Sequence, residues 1–132
     1  MRFRIQADEL PINVLEAIGA IANKGLLKTK EVMYRSEDQL VTFLFQRFPI
    51  VGKSMLTGTS HSDRSVLCRV TIRHVSTCRI EDTGECEQVT ILFGIGFKRK
   101  EAFLSSAEES GGTTCFSLIC TVTGIDLEMV DE

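Results

Sequence analysis

The sequence predicts an α+β fold, in which a mainly antiparallel sheet of about five to six strands packs against two helices. Several segments alternate polar and apolar residues with the two-residue period of a strand, whereas two other segments carry helix signals. No repeat or linker divides the 132 residues, and prolines occur only at Pro11 and Pro49. We therefore expect residues 1–132 to form one domain with the element order β-α-β-β-β-β-α-β.

The first two predicted elements are a strand and a helix. Residues 1–6 alternate polar and apolar side chains, as a strand does. Asp8 is a suitable helix N-cap, and Lys24-Gly25 is a suitable stop. We expect residues 8–24 to form a helix whose apolar stripe lies against the sheet. The stripe consists of Val14, Ala17, Ile18, Ile21 and Ala22.

Two strand candidates and a long loop follow. Residues 32–34 and 39–48 are rich in β-branched and aromatic side chains, and Pro49 ends the second segment. Residues 50–63 are rich in Gly, Ser and Thr and show no period, so we expect a loop that is either mobile or functional.

The central prediction is a long antiparallel hairpin over residues 66–97. Two alternating segments flank the turn signal at residues 82–84, which is Asp-Thr-Gly. A register that pairs Ile72 with Phe93 would place both apolar sets on one face. After this hairpin, residues 101–109 (EAFLSSAEE) predict a short helix, and residues 113–123 predict the last strand.

The net charge of −3 conceals an asymmetry. Residues 101–132 contain seven acidic residues and no Lys or Arg, so all 15 basic residues lie among the first 100. Such a split fits either contact with an anionic partner or neutralisation of one part by the other across the folded sheet. We favour neutralisation, because the basic excess is small for a nucleic-acid-binding protein.

The five cysteines are an odd number and include no C-x-x-C pair. This pattern is unlike that of a secreted disulfide scaffold, so we expect free thiols, with Cys68 and Cys120 acting as small buried apolar residues. Residues 1–6 also lack the apolar block of a signal peptide, and no apolar run approaches the roughly 20 residues that cross a bilayer. We therefore expect a cytoplasmic protein that does not act on a membrane.

Two glycine motifs are incomplete. Gly52-Lys53-Ser54 matches the end of a phosphate-binding loop, but Arg47 occupies the position of its first glycine. Gly94-Ile95-Gly96 matches the start of a dinucleotide-binding motif, but Arg99 replaces the third glycine. We expect Gly94 and Gly96 to thin the outer face of the sheet, so that another chain or a ligand can approach closely.

The outer face of the predicted hairpin is basic. Arg69, Arg73 and Arg79 share strand parity, and in the favoured register Arg69 lies opposite Gly96. Converging cations beside small residues suit a phosphate group, whereas the absence of interleaved aromatic residues disfavours base stacking. The alternatives are a solvated face and one paired with the acidic C-terminal residues. The candidate anion-binding residues are Arg69, Arg73, Lys98, Arg99, Lys100 and Lys53.

The sequence predicts no catalytic site, cofactor or metal centre. Cys68 and His74 lie six residues apart on one strand, too far for a dyad. Cys78 and Cys86 flank the turn but would point to opposite faces, which argues against a disulfide between them. An enzyme that uses His61 with Cys78 or Cys86 is the weakest of three functional hypotheses.

The leading hypothesis is a non-catalytic interaction module that forms a homo-oligomer, or binds a protein partner, through its sheet. Two helices are too few to cover both faces of the predicted sheet, and Leu92 and Ile119 would then be exposed. The second hypothesis is a binder of an anionic small molecule or nucleic acid, in which the basic outer face of the hairpin at 66–97 holds the ligand. Nucleic acid is the less favoured ligand.

Overall fold

The computed structural model describes residues 1–7, 18, 25–54, 58–84, 86–96, 101–106 and 115–132. Their secondary structure is almost entirely antiparallel strand, with one 3₁₀ turn at Thr29–Glu31. The strands are β1 (Arg2–Ala7), β2 (Leu26–Lys28), β3 (Met33–Arg35), β4 (Leu40–Arg47), β5 (Ile50–Ser54), β6 (Gly58–His61), β7 (Val66–Ile72), β8 (Val75–Asp82), β9 (Gln88–Gly96), β10 (Glu101–Ser106), β11 (Phe116–Val122) and β12 (Ile125–Asp131).

The predicted α+β class is wrong, because the described residues form an all-β arrangement. Residues 101–106 of the second predicted helix are strand β10, which pairs with β9 on one side and β11 on the other. Ala102 and Leu104, two residues apart, are both buried, as the period of a strand requires. The first predicted helix, residues 8–24, lies outside the described residues except for Ile18, which is buried.

Ten of these strands form one antiparallel sheet. Its order is β1-β12-β7-β4-β2-β9-β10-β11-β8, and β3 adds to β4. Strand β9 connects the two parts of the sheet, since its first residues pair with β2 and the rest with β10. The remaining strands, β5 and β6, pair only with each other, so the predicted loop at 50–63 contains a small hairpin instead.

The hairpin predicted over residues 66–97 does not form. Ile72 lies opposite Val41 and Leu127 rather than Phe93, because β7 pairs with β4 and β12. Strand β8 pairs with β11, and β9 pairs with β2 and β10. Alternation fixes which face of a strand is buried, but it does not fix which strand lies beside it.

The chain turns out of β7 at Arg73 and His74. His74 has φ 59°, a left-handed conformation that is uncommon for a residue with a side chain. The Arg73 N–H donates to the Asp126 carbonyl at 2.9 Å, and the Thr123 N–H donates to the His74 carbonyl at 2.9 Å. These bonds hold the β7–β8 connection against the β11–β12 connection.

A single apolar core lies on one face of the sheet. The predicted alternation is confirmed in β7, where Cys68, Val70 and Ile72 are buried. Phe43 of β4 meets Phe93 of β9 edge to face, with ring centroids 5.8 Å apart. This contact joins the two parts of the sheet across the short strand β2.

Gly25 lies just before β2, against the backbone and side chains of β4. Its carbonyl accepts the Ile91 N–H at 2.9 Å. A Cβ atom at this position would lie 2.8 Å from Cε2 of Phe45 and 2.9 Å from the carbonyl oxygen of Gln46. Neither atom has room to retreat, because Phe45 is part of the packed core and the carbonyl is backbone.

We expect Gly25→Ala to lower the free energy of unfolding by about 1–3 kcal/mol, the usual effect of overpacking. Urea titration of the purified variant measures it. Gly124→Ala is the matched control, since a Cβ there meets nothing within 4 Å and stability should stay near that of the wild type. Equal stability of the two variants would contradict this account of β2.

Candidate functional site

Two arginines of the basic face predicted from the sequence, Arg69 and Arg73, pair with acidic residues on or directly after β12. Arg4 lies on β1, and Arg69 and the following Arg73 lie on or beside β7, so the acids of β12 have arginines on both sides. This arrangement is the neutralisation that the charge asymmetry suggested. The closest contacts of the outer face are Arg2–Glu128 (3.4 Å), Arg4–Asp126 (3.2 Å), Arg73–Asp126 (3.8 Å), Arg73–Glu128 (3.4 Å) and Arg69–Glu132 (2.7 Å).

Asp126 is the centre of this network and is only 3% exposed. Gln6 Nε2 donates to its carboxylate at 3.0 Å, and Arg4 donates through Nε and Nη2 at 3.3 and 3.2 Å. The buried Nη1 of Arg73 faces it at 3.8 Å, too far for a hydrogen bond. Burial acts to raise the pKa of Asp126, but the hydrogen bonds and charges of its neighbours outweigh burial and lower it.

A second ion pair lies where the core meets solvent. Arg47, at the end of β4, donates through two nitrogens to the carboxylate of Asp131, and the amino group of Met1 lies 3.2 Å from the same carboxylate. The hydrogen bonds from Arg47 lower the pKa of Asp131 to about 2, although burial acts to raise it. Cys68 lies opposite Asp131, and burial raises the pKa of its thiol to about 11.

We expect Asp131→Asn to lower the free energy of unfolding at neutral pH by about 2 kcal/mol, because a pKa lowered from 3.8 to about 2 corresponds to about that free energy. A carboxylate with a lowered folded pKa stabilises the fold fully above its unfolded value of 3.8 and loses that contribution as the pH falls towards about 2. The variant should therefore lose less stability than the wild type between about pH 4 and pH 2.

Denaturant titrations at several pH values measure this difference. Glu37→Gln is the control, since Glu37 is an exposed carboxylate in the turn before β4. An acid profile of Asp131→Asn that matches the wild type would contradict the role given to the Arg47–Asp131 pair.

The remaining residues of the predicted anion site do not join Arg69 and Arg73 in the described part of the chain. Lys98, Arg99 and Lys100 lie outside it. Lys53 belongs to β5, in the separate two-stranded hairpin. Gly94 and Gly96 lie in β9 opposite Phe103 and Glu101 of β10, so the predicted pairing of Gly96 with Arg69 is wrong.

The prediction that every cysteine is a free thiol is wrong for two of them. Cys86 and Cys115 form a disulfide with Cα atoms 6.2 Å apart. The free thiols of Cys78 and Cys120 face each other across β8 and β11, with 3.7 Å between the sulfur atoms. Burial raises the pKa of both thiols, which makes them weak nucleophiles. The disulfide also removes Cys86 from the predicted pairing with His61.

We expect three thiols to react with a maleimide in denaturant without reductant, and five after reduction, because the disulfide occupies two. Mass spectrometry of the labelled protein counts them. The Cys86→Ser variant frees Cys115 and should give four in both conditions. Five labels on the unreduced wild type would show that the disulfide is absent.

Strand β8 forms one edge of the ten-stranded sheet, and among the described residues only β11 pairs with it. The Thr83 N–H donates to the Cys115 carbonyl at 3.1 Å, one step beyond the pairing of Asp82 with Phe116. Hydrogen-bonded and non-hydrogen-bonded pairs alternate along an antiparallel ladder, so Thr83, Glu81 and Arg79 direct their N–H and C=O groups towards β11. The N–H and C=O groups that point away from β11 are therefore those of Cys78, Ile80 and Asp82.

The side chains of β8 combine an apolar group with charges of both signs. Ile80 lies opposite Leu118, on the side of the sheet that carries the core, yet it is 41% exposed. Arg79 and Glu81 lie on the other side of the strand, with Nε and Oε1 3.4 Å apart, and both are well exposed. The edge therefore offers backbone hydrogen bonds, an exposed isoleucine and an ion pair to an approaching strand.

Comparison with protein-family models, with curated proteins and with solved structures finds no match to this chain. Within the described residues, no three acidic, histidine or cysteine side chains come together as a metal site. No helix among those residues has the length and apolarity to cross a membrane.

Proposed function

We propose that the protein is a non-catalytic assembly module that self-associates through the edge strand β8. The observation that supports this function is the row of backbone N–H and C=O groups at Cys78, Ile80 and Asp82, which point away from β11. An unpaired strand edge of this kind is a template for another strand, because each new hydrogen bond replaces one to water while apolar side chains are buried.

The exposed side chain of Ile80 adds an apolar contribution to this edge. It extends the core face of the sheet to its margin, beside Leu118, which is fully buried. A second strand alongside β8 would remove much of the remaining isoleucine surface from water. Since pairing of one strand buries less area than a standard interface, we propose a reversible complex with a dissociation constant in roughly the micromolar range.

The anion-binding hypothesis loses the observation that motivated it. Arg69 is paired with Glu132, and Arg73 is paired with Asp126 and Glu128, so their charges are already compensated. A phosphate would have to compete with carboxylates that are held in place by the sheet. Cytoplasmic location stays part of the proposal on the strength of three free thiols, whereas the Cys86–Cys115 disulfide counts against it.

We expect sedimentation velocity over a wide concentration range to show a monomer–dimer equilibrium for the wild type, and Ile80→Pro to weaken it at least about ten-fold. Proline removes the outward N–H of residue 80 and replaces the isoleucine side chain with a smaller ring, while an edge position tolerates it within the monomer. Circular dichroism and urea titration check that the monomer still folds.

Ile80→Val is the matched control, because it keeps the N–H group and a β-branched apolar side chain. It should associate as the wild type does. A wild type that stays strictly monomeric at the highest concentration would refute the proposed function, and so would a folded Ile80→Pro variant that associates normally.

A further inference from the structure

We infer that the partner of β8 is the β8 strand of a second copy, paired antiparallel about a two-fold axis at Ile80. This inference rests on the proposed function and specifies the register of the interface. It follows from two features of the strand, which are the direction of its free backbone groups and the order of its charges.

The backbone limits the registers that two copies can adopt. Among the described residues of β8 that pair regularly with β11, Cys78, Ile80 and Asp82 point their N–H and C=O groups away from β11, so these residues would face one another across the interface. With the axis at Ile80, the two isoleucines form one hydrogen-bonded pair, and Cys78 of each copy forms another with Asp82 of its partner. All three outward positions of each copy are then used.

The charges select this register among those that pair at least two of the outward positions. An axis at Arg79 would set the two arginines directly opposite each other, and an axis at Glu81 would do the same with the glutamates. Like charges in directly opposite positions are destabilising. An axis at Ile80 instead sets Arg79 of each copy opposite Glu81 of the other.

The same register places the charged pairs where they interact most closely. Arg79 and Glu81 direct their backbone groups to β11, so across the interface they are non-hydrogen-bonded pairs, whose side chains are nearest. Because Arg79 and Glu81 already touch within one copy, the dimer would hold four charges of alternating sign. The isoleucines meet on the opposite side of the strands, in line with the core.

The register is tested by mixing two charge variants. Arg79→Glu makes the edge acidic at both positions, and Glu81→Arg makes it basic at both. Each variant alone sets like charges opposite each other, so its homodimer should be about ten-fold weaker than that of the wild type. A mixture of the two restores both opposite-charge pairs and should form a heterodimer at least as tight as the wild-type dimer, measured by fluorescence anisotropy of one labelled variant.

The mixing experiment separates the register from the contact within one copy. Loss of the internal Arg79–Glu81 pair would weaken both variants, but it would give no recovery on mixing. A wild-type dimer that Ile80→Pro disrupts, without heterodimer formation in the mixture, overturns the register and leaves the proposed function standing. A wild-type monomer overturns both.

A cysteine trap provides a second measurement that does not depend on charge. In a Cys78→Ala background, Ile80→Cys places the two new thiols opposite each other on the axis, and oxidised glutathione should link the copies by disulfide exchange, releasing reduced glutathione. Thr77→Cys in the same background is the control, since its copies would lie about 20 Å apart along the strands. Equal crosslinking of the two variants overturns the register.

Discussion

The outer face of the sheet depends on the buried carboxylate of Asp126. An ionised group that is only 3% exposed requires opposing charge and hydrogen bonds nearby, because an uncompensated buried charge is strongly destabilising. Arg4 and Gln6 of β1 supply these from one side, and Arg73 supplies charge from the end of β7. Asp126 thus connects β1 to the end of β7, the two strands beside β12, and it engages Arg4 and Arg73 within the protein.

The sequence predicted the faces of strands better than their partners. Alternation in β7 identified its buried side correctly, since the period of a strand reports which residues lie against the core. Pairing is a long-range property: Ile72 lies opposite Leu127, and no local pattern connects them. Residues 101–106 contain good helix formers, yet neighbouring strands on both sides override that preference.

The candidate sites show the same limit. Arg69 and Arg73 share strand parity, but the acids that pair with them lie on or directly after β12, for which the sequence predicts no strand. The charge asymmetry indicated that the acidic C-terminal residues could neutralise these arginines, but it did not indicate which residues would pair. The edge of β8 was missed because a hairpin with residues 88–97 would have paired it. The disulfide of Cys86 with Cys115 was missed because nothing local indicates that β11 lies beside β8.

The pairing of β1 with β12 has a consequence for the time course of folding. Arg2 lies opposite Val130, so this margin of the sheet unites segments that are far apart along the chain. A ribosome releases β1 long before β12 exists, and closing so large a loop is slow because its entropy must be lost before any contact is gained. During that interval β1 and β7 lack β12, the strand that lies between them in the sheet. Arg4 and Arg73 then also lack Asp126, the carboxylate that faces both of them. Completion of the outer face is therefore a late event, timed by the synthesis of Asp126.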